Sequence, residues 1–311
     1  MDRLRAALWG AGGVSVADLK VRIGVSLGPY ATPDGLAAAT GLLEAAGIDS
    51  LWLSEVVYGE IVEPLVGMTY ALARTSRLKV GTGVTVLPGR HPVLVAKELA
   101  SLAALAPRRV LPVFGLRPAR RAETAAFPVP GSRAAVFDES LELLRLLLTE
   151  ESVSYSGEFF SVEGASIGPL PARPLDIWLG GSAAAGLQRV GRLGDGWLGS
   201  FLTPAEAGAA REQIVEAAAM AGREIEADHF GISLSVGPIT PGLARAVERR
   251  RPGANPASLT PATWDDARRM IDAYIGAGLS KFVVRPAVPA GSGGFEQFIG
   301  ELTEQLLPLQ N

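Results

Sequence analysis

Short apolar runs, rich in β-branched residues and bounded by glycine or polar side chains, alternate along the chain with longer stretches whose apolar positions recur at helical spacing. That alternation marks parallel strands joined by crossover helices. It places strands at Val21–Leu27, Ser50–Leu53, Leu78–Val86, Val110–Phe114, Ile177–Gly180, Gly196–Leu198, Phe230–Val236 and Lys281–Val284. The third and fourth runs are largely apolar, as in strands covered on both faces. Helix entrances are explicit at Thr203-Pro204-Ala205-Glu206, where a hydroxyl cap, a proline and a capping-box glutamate agree, and at Thr263 with Asp266, ahead of a helix running to Ala277. Glu63-Pro64 and His91-Pro92 read as two more, and a last helix spans about Phe295 to Leu306.

Eight strand–helix units predict an α/β fold closed into a (β/α)₈ TIM barrel, which leaves no strand edge exposed. An open doubly wound sheet of the same strands is the competing architecture, because periodicity does not report closure. Two connections exceed a simple loop, Gly115 to Asp176 and Gly237 to Ala262, and predict insertions after strands 4 and 7. The first contains a helix around Phe137 to Leu148, and long loops of this kind usually cover a barrel's active end. One barrel domain is expected over 21–311, preceded by an N-terminal extension over 1–20. Gly10, Gly12 and Gly13 interrupt the apolar stretch from Ala6 to Val16 that would otherwise imitate a secretory leader.

Composition narrows the chemistry. The 311 residues are 48% hydrophobic and 20% charged, enough apolar content for a large core. With 29 basic and 32 acidic residues the net charge is -3, which gives no electrostatic reason to expect nucleic acid or an anionic membrane as partner. Cysteine is absent, so disulfides, thiolate nucleophiles and cysteine metal sites are excluded and redox chemistry would need a bound cofactor. A reducing cytoplasm fits this usage. His91 and His229 are too few and too scattered to suggest a metal centre.

Several blocks carry a family resemblance. Tyr155-Ser156-Gly157-Glu158-Phe159-Phe160 is followed by Gly168-Pro169-Leu170-Pro171-Ala172-Arg173-Pro174 and then by Ile177-Trp178-Leu179-Gly180-Gly181-Ser182. Upstream stand Gly47-Ile48-Asp49-Ser50-Leu51-Trp52-Leu53-Ser54-Glu55, Gly81-Thr82-Gly83-Val84, and His91-Pro92 with Ala96-Lys97-Glu98. In this order and spacing the chain resembles the luciferase-like flavin and deazaflavin oxidoreductases over nearly all of Val21 to Pro286. The resemblance implies a cofactor across the carboxyl ends of the strands, its ring near strand 3 and its phosphate near strands 5 and 6. It also implies a non-proline cis peptide at Gly83-Val84 beneath the ring, and a homodimer.

Specific residues follow from that placement. Gly180, Gly181, Ser182 and Ala183 lie between a strand and a helix start, where backbone N–H groups can meet one phosphate; a plain strand-to-helix turn has the same residues. Glu55 ends strand 2 and is the candidate catalytic side chain, with a structural ion pair as the competing role. Relatives often carry histidine next; here Val56 stands instead, which removes a proton-transfer group and puts a sugar-phosphate dehydrogenase in doubt. Pro112 and Phe114 replace a glycine-richer strand end and are expected to narrow the mouth. Arg285 ends strand 8 and is expected to touch cofactor or substrate. Arg189 reads as solvated or salt-bridged, and Arg249-Arg250-Arg251 as a solvated cluster. Trp52, Trp178 and Trp197 read as core or pocket wall. Glu55, Glu60 and Glu63 raise a glycosidase reading, which Glu63 at a helix start weakens.

The resemblance, with an arginine- and alanine-rich composition, points to an oxidoreductase transferring hydride between coenzyme F420 and a small organic substrate. The alternatives are an FMN-dependent monooxygenase of the same family and, from another class, a cofactor-free barrel acting as a binding or interaction protein.

Overall fold

The computed structural model describes residues 19–287 and 294–311, so the extension expected over 1–20 lies almost wholly outside the described residues. The chain runs β1 (Arg22–Ser26), α1 (Pro33–Ala46), β2 (Ser50–Leu53), α2 (Pro64–Arg74), β3 (Lys79–Thr82), β4 (Thr85–Val86) and α3 (Pro92–Leu105). It continues through β5 (Val110–Leu111), β6 (Val113–Gly115), α4 (Arg133–Thr149), β7 (Val153–Ser156), β8 (Ser161–Ala165), β9 (Trp178–Gly180), α5 (Ala184–Leu193) and β10 (Gly196–Ser200). It ends with α6 (Pro204–Met220), β11 (Phe230–Val236), α7 (Pro241–Arg250), α8 (Trp264–Gly276), β12 (Lys281–Pro286) and α9 (Gly294–Gln305).

Ten strands form one sheet in the order β4-β6-β9-β10-β11-β12-β1-β2-β3-β5. Its two ends meet. β3 and β4 are halves of one barrel strand, interrupted at Gly83-Val84; β5 and β6 are halves of the next, interrupted at Pro112. β3 pairs with β5 and β4 with β6, both parallel, so eight barrel strands close on themselves and the open sheet is ruled out. Across the interruption the Thr82 hydroxyl replaces the ladder, donating to the Val113 carbonyl and accepting from its N–H, each at 2.8 Å. The insertion after strand 4 adds an antiparallel hairpin, β7 with β8, that the apolar pattern does not announce. Glu139 of α4 organises its turn, accepting from the N–H groups of Glu158, Phe159 and Phe160 at 2.7–3.1 Å.

Strand alternation sorts the core into two compartments. Ile23, Val25, Leu51, Leu53, Val80, Phe114, Leu179, Trp197, Ile232, Phe282 and Val284 face the surrounding helices in one cluster. Trp52, Val113, Trp178, Leu198 and Val283 fill the barrel interior in another. The interior accepts two indoles because neighbouring strands supply glycine: a Cβ at Gly24 would come within 2.5 Å of Trp52 Nε1, and one at Gly81 within 2.8 Å of its ring. Phe114 belongs to the outer cluster, so it does not narrow the mouth; Val113 takes the inward position.

The amino end of the barrel is closed by charge. Asp49, 7% exposed at its side chain, meets Lys79 at 2.7 Å, Lys281 at 3.5 Å and Arg22 at 3.7 Å. Outside the barrel, Arg189 is buried against Asp138 and Phe137, so its ion-pairing role is the observed one and a solvated role is not. Arg251 is likewise paired, with Glu206, leaving Arg249 and Arg250 as the exposed members of that run. Among the described residues no helix is long and apolar enough to cross a membrane.

Candidate active site

Two residues beyond each interior side chain, the inward positions at the carboxyl ends of the strands are Ser26, Ser54, Gly83, Gly115, Gly180, Ser200, Ser235 and Arg285. The register pairs Ser235 with Arg285. These small side chains ring the carboxyl-end mouth of the barrel, with Trp52 and Leu198 beneath it, 3.9 and 4.0 Å from a Cβ built at Gly83. Into the mouth projects Val84, carried by the cis peptide Gly83-Val84. A Cβ at Gly115 would approach Val84 Cγ2 to 2.6 Å, and one at Gly180 would approach Cγ1 to 2.8 Å. Gly180 therefore makes room for Val84, while the next residues face outward.

Gly181 has φ +117°, in the left-handed region that favours glycine, and a Cβ there would meet nothing within 4 Å. Ser182, Ala183, Ala184 and Ala185 are exposed, and Ala183 is the N-cap of α5 with no side-chain cap bond. Six other helices contrast with α5, while α4, entered at Ser132, likewise has no side-chain cap bond. Thr32, Glu63, His91, Thr203, Thr240 and Thr263 all accept a backbone N–H at their helix starts, with a full capping box at Thr203 and Glu206. α5 instead leaves its first N–H groups open beside the mouth, a setting with favourable field for an anion.

Glu55 is 5% exposed and both oxygens are engaged: Oε2 accepts from Val86 N–H and Oε1 from Arg90 Nη2, each at 2.7 Å. Burial pushes its pKa up, against the opposing pull of the Val86 N–H and Arg90. Arg90 also lies 3.7 Å from Glu63 and over the Phe127 ring, so Glu55 ties together the loops after strands 2 and 3 and the insertion after strand 4. Of the three carboxylates that raised a glycosidase, Glu63 caps α2 and Glu60 is exposed, so they form no facing pair. Arg285 Nε donates to Ser235 Oγ at 2.9 Å, and burial with the nearby charge of Arg250 pushes its pKa down.

The structure thus brings Gly83, Val84, Gly180 and Arg285 to one mouth, sets Gly181, Ser182 and Ala183 at its rim, and uses Glu55 to fasten that rim. The serine positions were missed in the sequence because each strand contributes one. His229 lies at the other end of the barrel, its Nδ1 2.8 Å from the Asp195 carbonyl; its ligand atoms and those of Glu226 and Asp228 lie within 4.8 Å of one another.

Comparison with known proteins agrees with this architecture. An F420-dependent glucose-6-phosphate dehydrogenase of Kineococcus radiotolerans is 31% identical over 176 residues, 53% of this chain and 52% of the relative. An F420-dependent hydroxymycolic acid dehydrogenase of Mycobacterium tuberculosis is 32% identical over 174 residues, 53% and 48%. The chain spans about half the length of the curated relatives it matches. Among solved structures, an F420-dependent secondary alcohol dehydrogenase bound to an F420-acetone adduct superposes with TM-score 0.77 at 19% identity, covering 94% of this chain and 100% of that one. The FMN-bound oxygenating constituent of 3,6-diketocamphane monooxygenase from Pseudomonas putida gives 0.73 at 16%, covering 93% and 99%. At these identities the likeness shows the fold. The luciferase-like monooxygenase family matches residues 18–252, most of the chain, and the protein belongs to that family.

Proposed function

We propose that the protein is an F420-dependent oxidoreductase acting on a small organic substrate at the carboxyl-end mouth of one barrel domain spanning residues 21–311. The observation that carries this reading is the ring of glycine and serine at that mouth, beside the uncapped start of α5. A flat ring fits against Val84, and one phosphate fits the open N–H groups near Ser182 and Ala183. F420-dependent relatives favour the deazaflavin over FMN.

When bound, the deazaflavin supplies hydride exchange at its C5 carbon. The chain's own residues orient and shield. Val84, held between Gly115 and Gly180, would support the ring. Glu55 acts as a positioning residue, because its oxygens already hold Val86 and Arg90. Val56 offers no proton at the place where the family resemblance implies histidine, so the reading does not extend to sugar-phosphate oxidation.

Titration of the purified protein with F420 and with FMN, followed by fluorescence, tests the assignment. Binding of F420 at least tenfold tighter than FMN is expected. FMN binding alone would instead support a monooxygenase, and binding of neither would support a barrel kept as an interaction scaffold.

We further propose a cytoplasmic homodimer, consistent with the absence of cysteine. Val66 of α2 and Leu105 of α3 are exposed and line a groove of ≈ 660 Å³ between the two helices, which also expose Tyr70 and Leu94. Replacing Val66 and Leu105 together with aspartate is expected to convert a dimer to a monomer by light scattering; an unchanged mass would remove this face from the interface.

A further inference from the structure

Of the eight inward strand-end positions around the mouth, Arg285 alone is neither serine nor glycine. Its Nε is satisfied by Ser235 Oγ at 2.9 Å, and no other hydrogen bond or carboxylate partner occupies its guanidinium among the described residues. Other sheltered cations differ. Lys281 meets Asp49, Arg90 meets Glu55, Arg145 and Arg223 share Asp195, and Arg189 meets Asp138. Arg109 and Arg133 direct their N–H groups to backbone carbonyls; Arg211, whose buried Nε also lacks a hydrogen-bond partner, lies on α6 outside the barrel, stacked on Phe230. Residues 288–293, which follow strand 8, contain no acidic side chain.

A second positive charge stands near it. Arg250 lies over the Phe201 ring, donates to the Ala119 carbonyl and adds to the electrostatic load on Arg285. The two guanidiniums repel, and an anion between or beside them relieves that repulsion. A guanidinium with both Nη groups free is also the group best shaped to grip two oxygens of a carboxylate or phosphate. The cofactor's phosphate has another place: the start of α5 follows β9, separated from β12 by β10 and β11 in the sheet order.

We propose that Arg285, steadied by Ser235, binds an oxyanion of the substrate, a carboxylate or a phosphate, and so selects acidic substrates. The assignment rests on the cofactor reading above in taking the barrel mouth as the reaction site and in giving the cofactor's phosphate to the start of α5. Its test needs no turnover. Cofactor-free protein carrying Ala183→Asp, which blocks the α5 anion position, is titrated with inorganic phosphate and separately with acetate by calorimetry. One site is expected for at least one of the two, and the one bound more tightly identifies the class of oxyanion. Arg285→Met should weaken it more than tenfold, Arg285→Lys several-fold because a single ammonium cannot grip two oxygens, and Ser235→Ala about two- to fivefold.

F420 binding to Arg285→Met in the otherwise unaltered chain should stay within about threefold of the parent. The lysine variant keeps the test decisive if the methionine variant does not fold. No anion binding, or binding indifferent to both substitutions at 285, overturns the proposal. Loss of F420 binding in Arg285→Met or Arg285→Lys overturns it too, by giving the residue to the cofactor. If the parent binds neither F420 nor FMN while anion binding still depends on Arg285, the cofactor reading fails and the oxyanion site stands.

Discussion

Ala183→Asp is expected to raise the melting temperature and at the same time weaken F420 binding at least tenfold. The two effects have one cause. Position 183 is the N-cap of α5, with φ -72° and ψ 144°, the extended backbone in which a short carboxylate reaches the first free N–H groups. Alanine supplies no acceptor there, and gaining one contributes about 0.5–2 kcal/mol. In a domain of this size that is roughly 2–4 °C per kcal/mol. The same carboxylate occupies the N–H groups and places negative charge where the cofactor's phosphate belongs. Ala183→Asn separates the terms, since it caps without charge, and should stabilise similarly while weakening binding less. Scanning calorimetry and fluorescence titration report the two quantities independently. A more stable protein that binds F420 undiminished would show that the start of α5 is an ordinary turn.

Asp49→Ala is expected to destabilise the fold by about 3–5 kcal/mol, the usual penalty for removing one partner of a buried ion pair. Lys281 is 7% exposed, inside the barrel 5.8 Å from the Trp178 ring, and would be left without its carboxylate. Burial alone would raise Asp49, but Lys281 and Lys79 more than offset it and hold the carboxyl below its ordinary 3.8. A depressed carboxylate stabilises the native state above its unfolded value. That contribution is complete above about pH 4 and is lost as pH falls through the lower folded value. Urea unfolding should show the loss at pH 7 and a flatter acid limb in the variant. Asp49→Asn combined with Lys281→Met should recover part of the loss, because the stranded ammonium is gone. A change under 1 kcal/mol in Asp49→Ala would mean that water reaches this end of the barrel.

Much of this architecture was legible in the residues. Strands at Ser50–Leu53 and Phe230–Val236 match their observed limits because Leu51 to Leu53 form an apolar run and Phe230, Ile232, Leu234 and Val236 alternate with small residues. Helix entrances at Glu63, His91, Thr203 and Thr263 were readable because capping is local chemistry. The break within strand 4 was hidden, since an apolar run continues past Pro112 while the ladder does not; at strand 3 the resemblance alone indicated a cis peptide at Gly83-Val84, and that peptide is present. Phe114 was misplaced for a related reason. Which of two neighbouring residues faces the barrel interior depends on register, and register comes from partners distant in sequence.

The hairpin carrying Tyr155 to Phe160 was equally hidden, because its turn is held by Glu139, far upstream. Around the mouth the signal was present but dispersed. Serine or glycine recurs near the carboxyl end of strand after strand, at Ser26, Ser54, Gly83, Gly115, Gly180, Ser200 and Ser235, and only closure of the barrel gathers them. Glu55 was found at the right place with an undecided role, since the engagement of both its oxygens depends on Val86 and Arg90 in the next loop.

The most direct test of the central claim is a crystal structure of the protein grown with F420. Density for the tricyclic ring against Val84, on the Trp52 side of the barrel mouth, with the phosphate on the N–H groups that open α5, is the expected result. A ring bound in the groove between α2 and α3, or anywhere outside the barrel mouth, would contradict it.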